Sequence, residues 1–202
     1  CKANEDGTTY GIVQANFKLN DTYYATYEKA LAAAQAGDII TIAAGDYTQN
    51  INVNKDITVV GETDAEGNNL VNITGKLSIT ADGATAKNLN VNNGGSNGGY
   101  INAKEVTVEG CQVVGGNGFR SCYTSGTVTF KNSVITGSTY GIHFDGSAGG
   151  NIVIDNCTIT GWTSFAAAIT NVALKDTKFE EGNYNYVRFY QDAQITNCTF
   201  NE

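Results

Sequence analysis

Apolar and polar positions alternate along this chain in short runs, and one run keeps returning. Its clearest copy is Val128-Thr-Phe-Lys-Asn-Ser-Val-Ile135, with related copies over 84–91, 106–113, 152–159, 172–179 and 193–200 and a looser one at 57–61. Alternation with a period of two marks a half-buried strand. The fifth position breaks the alternation and reads Gly61, Asn88, Gly110, Asn132, Asn156, Asp176, Asn197, at spacings of 20 to 27 residues. Gly, Asn and Asp enter the left-handed backbone region most readily, so a bend there lets the chain turn a corner and begin a second short strand. A repeat of this length is that of a solenoid. The expected fold is therefore all-β, a parallel β-helix in which every strand pairs with its counterpart one coil later.

Two further columns check the register. The outward position before the corner reads Lys87, Glu109, Lys131, Asp155, Lys175, which sets opposite charges on neighbouring strands about 4.8 Å apart. The position after the corner reads Leu89, Cys111, Ser133, Cys157, Thr177, Cys198, small residues suited to an interior column. Its cysteines stand two coils apart, about 9.6 Å, which is beyond disulfide reach. They read as small buried hydrophobes.

The start of the chain is different. Residues 1–23 read as a lead-in, with a strand expected around 11–14 or 16–19. Thr26 suits the cap of a helix over about 26–36 whose apolar face is Tyr27, Ala30, Leu31 and Ala34, with Gly37 just past its end. Such a helix would cover the first coil of a β-helix domain over 24–202. The segment from Tyr24-Ala-Thr-Tyr-Glu-Lys-Ala-Leu31 to Ala44-Gly-Asp-Tyr47, followed by Ile57-Thr-Val-Val-Gly61, resembles the N-terminal cap and first coils of the pectin lyase-like right-handed parallel β-helix superfamily. The corner column is similar to that superfamily's asparagine ladder. The resemblance spans roughly residues 24–200 and implies a right-handed β-helix with a short N-terminal capping α-helix. It also implies an extracellular or cell-surface location. The motifs mark the scaffold, which members with and without enzymatic activity share.

Composition narrows the partners. The chain has 202 residues, of which 41% are hydrophobic, enough for one domain with a continuous core. It has 24 Gly and no Pro, which suits corners and strands that donate ladder bonds on both edges. A formal net charge of -8 without any basic run disfavours nucleic acid and anionic membrane and leaves a neutral or cationic partner, neutral glycan included. No stretch reaches the roughly 18 consecutive apolar residues of a membrane span. Cys1 at the start fits either the acylated cysteine of a bacterial lipoprotein or an arbitrary excision point. Five cysteines, an odd number, do not describe a disulfide scaffold. Asn156-Cys-Thr and Asn197-Cys-Thr sit in corners too tight for glycans, which favours a bacterial source.

Candidate chemistry lies on another strand set, expected over 99–102, 119–123, 140–145, 165–169 and 186–190. With Phe119, Ile142, Phe144, Val187 and Phe189 inward, alternation turns Arg120, His143, Asp145, Tyr186, Arg188 and Tyr190 outward. Tyr123 joins them at the end of its strand, and Trp162 is expected on a turn nearby. Rings that stack on sugar faces, with Arg and Asp for the hydroxyls, would make a carbohydrate platform. A plain surface sheet that carries Tyr and Arg for β-propensity is the other reading. In the superfamily, polysaccharide lyases combine calcium-binding carboxylates with a basic residue, and hydrolases combine clustered aspartates with Gly-His-Gly and Arg-Ile-Lys segments. Gly141-Ile-His-Phe-Asp145 is not Gly-His-Gly, so no catalytic residue carries over. His143 and Asp145 share a face, their backbones about 6.5–7 Å apart, with side-chain contact open. Cys122 stands one coil from His143 but on alternation faces the other side.

The acidic loop 61–69 reads as a solvated turn in preference to a calcium site, and 94–99 as a flexible turn. The column Thr58, Thr85, Thr107, Thr129 reads as ladder packing. No cofactor or metal is expected. The function expected is a non-catalytic cell-surface or secreted module, adhesin-like, that binds glycan or a protein partner. The alternatives are a polysaccharide lyase or glycoside hydrolase with an atypical site, and a structural segment of a fibre or oligomer associating edge to edge at the C-terminal coil.

Overall fold

Asn88, Gly110, Asn132, Asn156, Asp176 and Asn197 all take left-handed φ values, between 48 and 62°. In the computed structural model, which describes residues 14–145, 149–180, 182 and 186–201, each of these corners divides two strands that stack in parallel on those of the next coil. Cys1 and its lipid-anchor reading lie outside the described residues, as does the strand expected over 11–14 apart from Gln14. Strands before the corner form one face of a 10-stranded sheet, while those after it belong to a 13-stranded sheet that bends to supply a second and a third face. The coil is a right-handed parallel β-helix.

The register follows the sequence columns. Glu109 pairs with Lys87 on one side and Lys131 on the other, and Asp155 pairs with Lys131 and Lys175. Lys87 Nζ lies 2.7 Å from Glu109 Oε2, and Lys175 Nζ 3.6 Å from Asp155 Oδ1. The threonine column also stacks, with Thr85 between Thr58 and Thr107, and Thr107 against Thr129. Amides link the corners: Asn156 Nδ2 donates to Asn132 Oδ1 at 2.9 Å, and Asn197 Nδ2 to Asp176 Oδ1 at 2.6 Å. Gly61 is the exception in the column. It pairs in register but has no left-handed φ, because the chain leaves it for the 62–69 loop in place of a tight corner. Glycine is still required there, since a Cβ would run into the Asn88 carbonyl.

Inside, Ile40, Val59, Ala86, Val108, Phe130, Ile154 and Leu174 form one buried column. Each large member contributes about 1.5–3 kcal/mol by leaving water. The column after the corner does more than fill space. The Cys111 N–H donates to Ser133 Oγ at 3.1 Å and the Cys157 N–H to Thr177 Oγ1 at 3.3 Å. Those hydroxyls donate in turn to the carbonyls of Lys131 and Lys175, both at 2.8 Å. A backbone donor stranded by the corner is thus satisfied from the neighbouring coil, which a buried amide requires. Burial pushes the thiols of Cys111 and Cys157 up to about 12 and about 11.

At the N-terminal end the helix is Tyr27–Ala33, with Thr26 Oγ1 accepting from the Lys29 N–H. Tyr27, Ala30 and Ala34 are buried, and the Tyr27 hydroxyl donates to the Asn52 carbonyl at 2.9 Å. Lys55 Nζ closes the helix by donating to the carbonyls of Ala32 and Ala34. Phe17–Leu19 pairs antiparallel with both Thr22–Tyr24 and Ile39–Ile42, so a hairpin covers the first coil's edge. At the other end, Ile195 and Phe200 occupy interior columns but remain 46% and 47% exposed.

Asn156→Ala should lose both the ladder bond and the easy left-handed backbone, about 2 kcal/mol together. Asn156→Gly, which keeps the backbone, should lose about 1 kcal/mol. Urea unfolding of the two variants beside the parent measures the difference; equal losses would contradict the corner argument.

Candidate functional site

The third face is built where the chain passes from second to third strand without a wide loop. Glycine makes this passage possible: a Cβ on Gly137 would strike the Tyr140 carbonyl, and one on Gly161, at φ 103°, would lie 2.5 Å from the Gly137 carbonyl. Two long strands, Val134–Phe144 and Thr158–Phe165, therefore run through the turn, with register shifts between Thr136 and Tyr140 and between Tyr140 and His143. An amide pair, Asn117 buried and Asn97 half-buried, steadies the same turn. Asn117 Nδ2 donates to Asn97 Oδ1 at 2.8 Å, and Asn117 Oδ1 accepts from the Tyr140 N–H at 3.3 Å. One coil earlier, Ser121 at φ 55° makes a bulge between the inward residues Phe119 and Cys122. These irregularities re-aim the outward side chains.

The result is a ladder of rings and guanidinium groups across successive coils. Arg120 lies over the Tyr140 ring at 4.9 Å, Tyr140 stacks on Trp162 at 4.9 Å, and Arg188 lies over both Trp162 and Tyr190 at 4.9 Å each. Arg188 Nε donates to Ser164 Oγ at 3.1 Å, which fixes the fork's orientation. His143 sits beside the stack, 4.5 Å from the Tyr140 ring and 6.2 Å from that of Trp162. Its Nδ1 is 3.1 Å from Asp145 Oδ1, an ion-pair distance, but off line for a hydrogen bond. Burial holds the His143 pKa below its ordinary value, Asp145 opposes this, and Arg120 and Arg188 push it lower still. The imidazole is therefore neutral at pH 7. His143, Asp145, Ser164, Ala166, Arg188 and Tyr190 line a cleft of about 390 Å³ beside the ladder.

Several expectations change. Trp162 is not on a turn: it stands in a strand, paired with Tyr140, at the centre of the group. Tyr140 belongs to the cluster although alternation left it out, because the bulges break the count of two. The strand expected over 165–169 ends at Phe165, and the chain then turns, with the Ile169 N–H donating to the Ala166 carbonyl. Residues 97–101 form a strand, so the second half of the glycine-rich 94–99 segment is sheet and not turn; Gly99 makes room for the Phe119 ring. Cys122, as alternation predicted, faces the interior beside Phe144 and away from His143, and burial pushes its thiol up to about 12. Tyr123, 38% exposed, and Tyr186, 66% exposed, flank the ladder without a ring contact among the described residues. The rings were expected to offer open faces, but Trp162 has Tyr140 on one side and Arg188 on the other. What faces outward is guanidinium donors, the Asp145 carboxylate and the exposed ring of Tyr190.

No group of three or more His, Cys, Asp or Glu gathers among the described residues. In the 61–69 loop, Asp64 is occupied by the turn itself. It accepts from the N–H groups of Glu66 and Asn68 and from Asn68 Nδ2, at 2.7 to 3.1 Å, and these bonds lower its pKa.

No protein-family model and no curated protein matches the chain. Two solved structures of the pectin methylesterase from Aspergillus niger, in deglycosylated and penultimately deglycosylated forms, match it with a TM-score of 0.62 and 20% identity over 89% of this chain and 83% of that one. The likeness is one of fold, a parallel β-helix shared with that pectin methylesterase. Within such a β-helix the ladder of rings and arginines occupies one long strand face, parallel to the solenoid axis. No helix among the described residues is long and apolar enough to cross a membrane.

The depressed His143 pKa has a consequence for stability. A proton binds the unfolded chain more readily than the folded one, so this contribution is complete above the ordinary value of 6.5 and is lost as pH falls through the folded pKa. Between pH 7.5 and 5.5 the parent should lose stability faster than His143→Gln in urea titrations. Parallel slopes would contradict the neutral, half-buried imidazole.

Proposed function

We propose that this chain is a non-catalytic, surface-displayed or secreted carbohydrate-binding β-helix module, adhesin-like in role, whose binding strip is the third face. Arg120, Tyr123, His143, Asp145, Trp162, Tyr186, Arg188 and Tyr190 form the strip, with Tyr140 added as the ring that carries Arg120. The observation that supports the reading is the pre-stacked ladder Arg120, Tyr140, Trp162, Arg188 beside an open cleft. Stacking immobilises both guanidinium groups before any ligand arrives, so less rotamer entropy is lost when they donate to sugar hydroxyls. Asp145 accepts from hydroxyls in the same cleft, and Tyr190 offers an open ring for a sugar face.

Titration against a panel of neutral glycans and acidic polysaccharides tests this. A bound glycan should lose about 10- to 100-fold in affinity with Arg188→Ala, as expected for hydrogen bonds to a charged group. Tyr190→Ala should weaken it too, while Lys18→Ala, far from the strip, should leave it unchanged. Absence of any ligand, or indifference to both strip variants, would contradict the reading.

A second reading is an ester- or glycoside-hydrolysing enzyme with an unfamiliar site. It is supported by the proximity of His143 and Asp145 in the cleft and by the likeness in fold to a pectin methylesterase. Release of methanol or of new reducing ends from methyl-esterified pectin would establish it, with loss of that release in Asp145→Asn.

A further inference from the structure

The ladder of corner amides lacks a rung at Gly110, and a second break falls between Asn156 and the carboxylate of Asp176, which share no side-chain bond among the described residues. Where the ladder runs, an amide donates to the corner of the coil before it, as Asn156 Nδ2 does to Asn132 Oδ1 and Asn197 Nδ2 to Asp176 Oδ1. Gly110 stands where the next amide would be, between Asn88 and Asn132. Its φ of 62° keeps the corner intact, so only the amide is missing. Asn132 is left with one side-chain bond among the described residues, the one it accepts from Asn156. On the other side of the gap, Asn88 Oδ1 lies 2.5 Å from where a Gly110 Cβ would be. Asn88 and Asn132 are two coils apart, about 9.6 Å, which leaves room for one planar amide with a hydrogen bond on each side once the Asn88 amide swings back from the Gly110 position.

The gap is not sealed. It opens into a cleft of about 650 Å³ lined by Asn69, Asn88, Asn90, Gly110, Gln112 and Asn132, among others. The 62–69 loop walls it: Asn69 Nδ2 donates to the Gly110 carbonyl at 2.8 Å and to Asn90 Oδ1 at 3.2 Å, fixing that wall in place. Around the gap the lining is mostly amide, with Gln112 exposed. Glu109, the charged residue there, is already paired with Lys87.

We infer that this notch binds the acetamido group of an N-acetylhexosamine. The ligand carbonyl accepts from Asn132 Nδ2 and the ligand N–H donates to Asn88 Oδ1, so the acetamido group takes the place of the missing rung. The sugar ring then lies in the cleft against Gln112 and Asn69. A hydroxyl has donor and acceptor on a single atom and is too short to span the gap, whereas a flat amide presents them on opposite sides. The site lies at the corner between first and second faces, apart from the arginine ladder, and does not depend on the third face binding anything.

The test is saturation-transfer NMR and calorimetry with N,N′-diacetylchitobiose, and with cellobiose as the matched disaccharide that lacks acetamido groups. The parent should bind the first, with the strongest saturation on its acetamido methyl protons, and the second at least tenfold more weakly. Gly110→Asn supplies the rung, since Asn accepts this φ elsewhere in the column, and the Asn88 side chain can swing to accept from it. It should weaken diacetylchitobiose at least tenfold with no fall in Tm. Asn132→Asp, which keeps the acceptor for Asn156 but removes the donor, should weaken it similarly, while Lys18→Ala, at the far end of the coil, should have no effect. Equal binding of the two disaccharides, no binding to the parent, or undiminished binding to Gly110→Asn would overturn the inference.

Discussion

From Asn88 onward, each passage from first face to second takes a φ between 48 and 62°, a conformation that costs most L-residues about 1–2 kcal/mol. The chain can turn there only if the residue tolerates it, and the sequence supplies Asn, Asp or Gly at each such corner from Asn88 to Asn197. This requirement aligns the coils. Once two corners stack, a slip of one residue would send Val108, Phe130 and Ile154 out to water and bring Glu109, Lys131 and Asp155 in. The exposed ion pairs of that charged column are worth little individually; their weight lies in penalising the wrong register. The hydroxyls of Ser133 and Thr177 add a second lock, because only the correct stacking brings them to the N–H groups of Cys111 and Cys157.

The rest of the coil is less constrained, and its variation is where chemistry gathers. The second turn tightens through glycine in the coils that contain Gly137 and Gly161, and the register shifts there place Tyr140 and Trp162 side by side. Arg120 and Arg188 then close the two ends of the stack. Aromatic rings and guanidinium groups thus rigidify one another on an otherwise acidic protein, and the positive charge of the strip is local in a chain of net charge -8.

Much of the scaffold was legible because it rests on repetition. The corners from Asn88 onward, the charge column, the interior column and the Thr26-capped helix all follow from period and residue type. The departures share one cause, a local break in that period. Gly61 resembles a corner by its neighbours but leads into a loop, and no feature within 57–61 distinguishes the two. Trp162 and Tyr140 were misplaced because strict alternation was carried across bulges, whose positions depend on close backbone approach at Gly137 and Gly161. The turn amides Asn97 and Asn117, which hold Tyr140 in place, are separated by one coil like the corner residues. That spacing was a signal present in the sequence, hidden by the glycine-rich stretch around it.

The central claim is that coils stack in the stated register about the left-handed corners, and engineered thiols on the outward column measure this directly. In a background of Cys1→Ser and Cys198→Ser, the remaining cysteines are buried in the interior. Thr107 and Thr129 are direct partners on adjacent strands, so Thr107→Cys with Thr129→Cys should close an intramolecular disulfide in the folded protein under mild oxidation. Thr107→Cys with Val153→Cys, two coils apart at about 9.6 Å, should stay reduced. A Thr107/Thr129 pair that stays reduced, or a Thr107/Val153 pair that closes, would contradict the account.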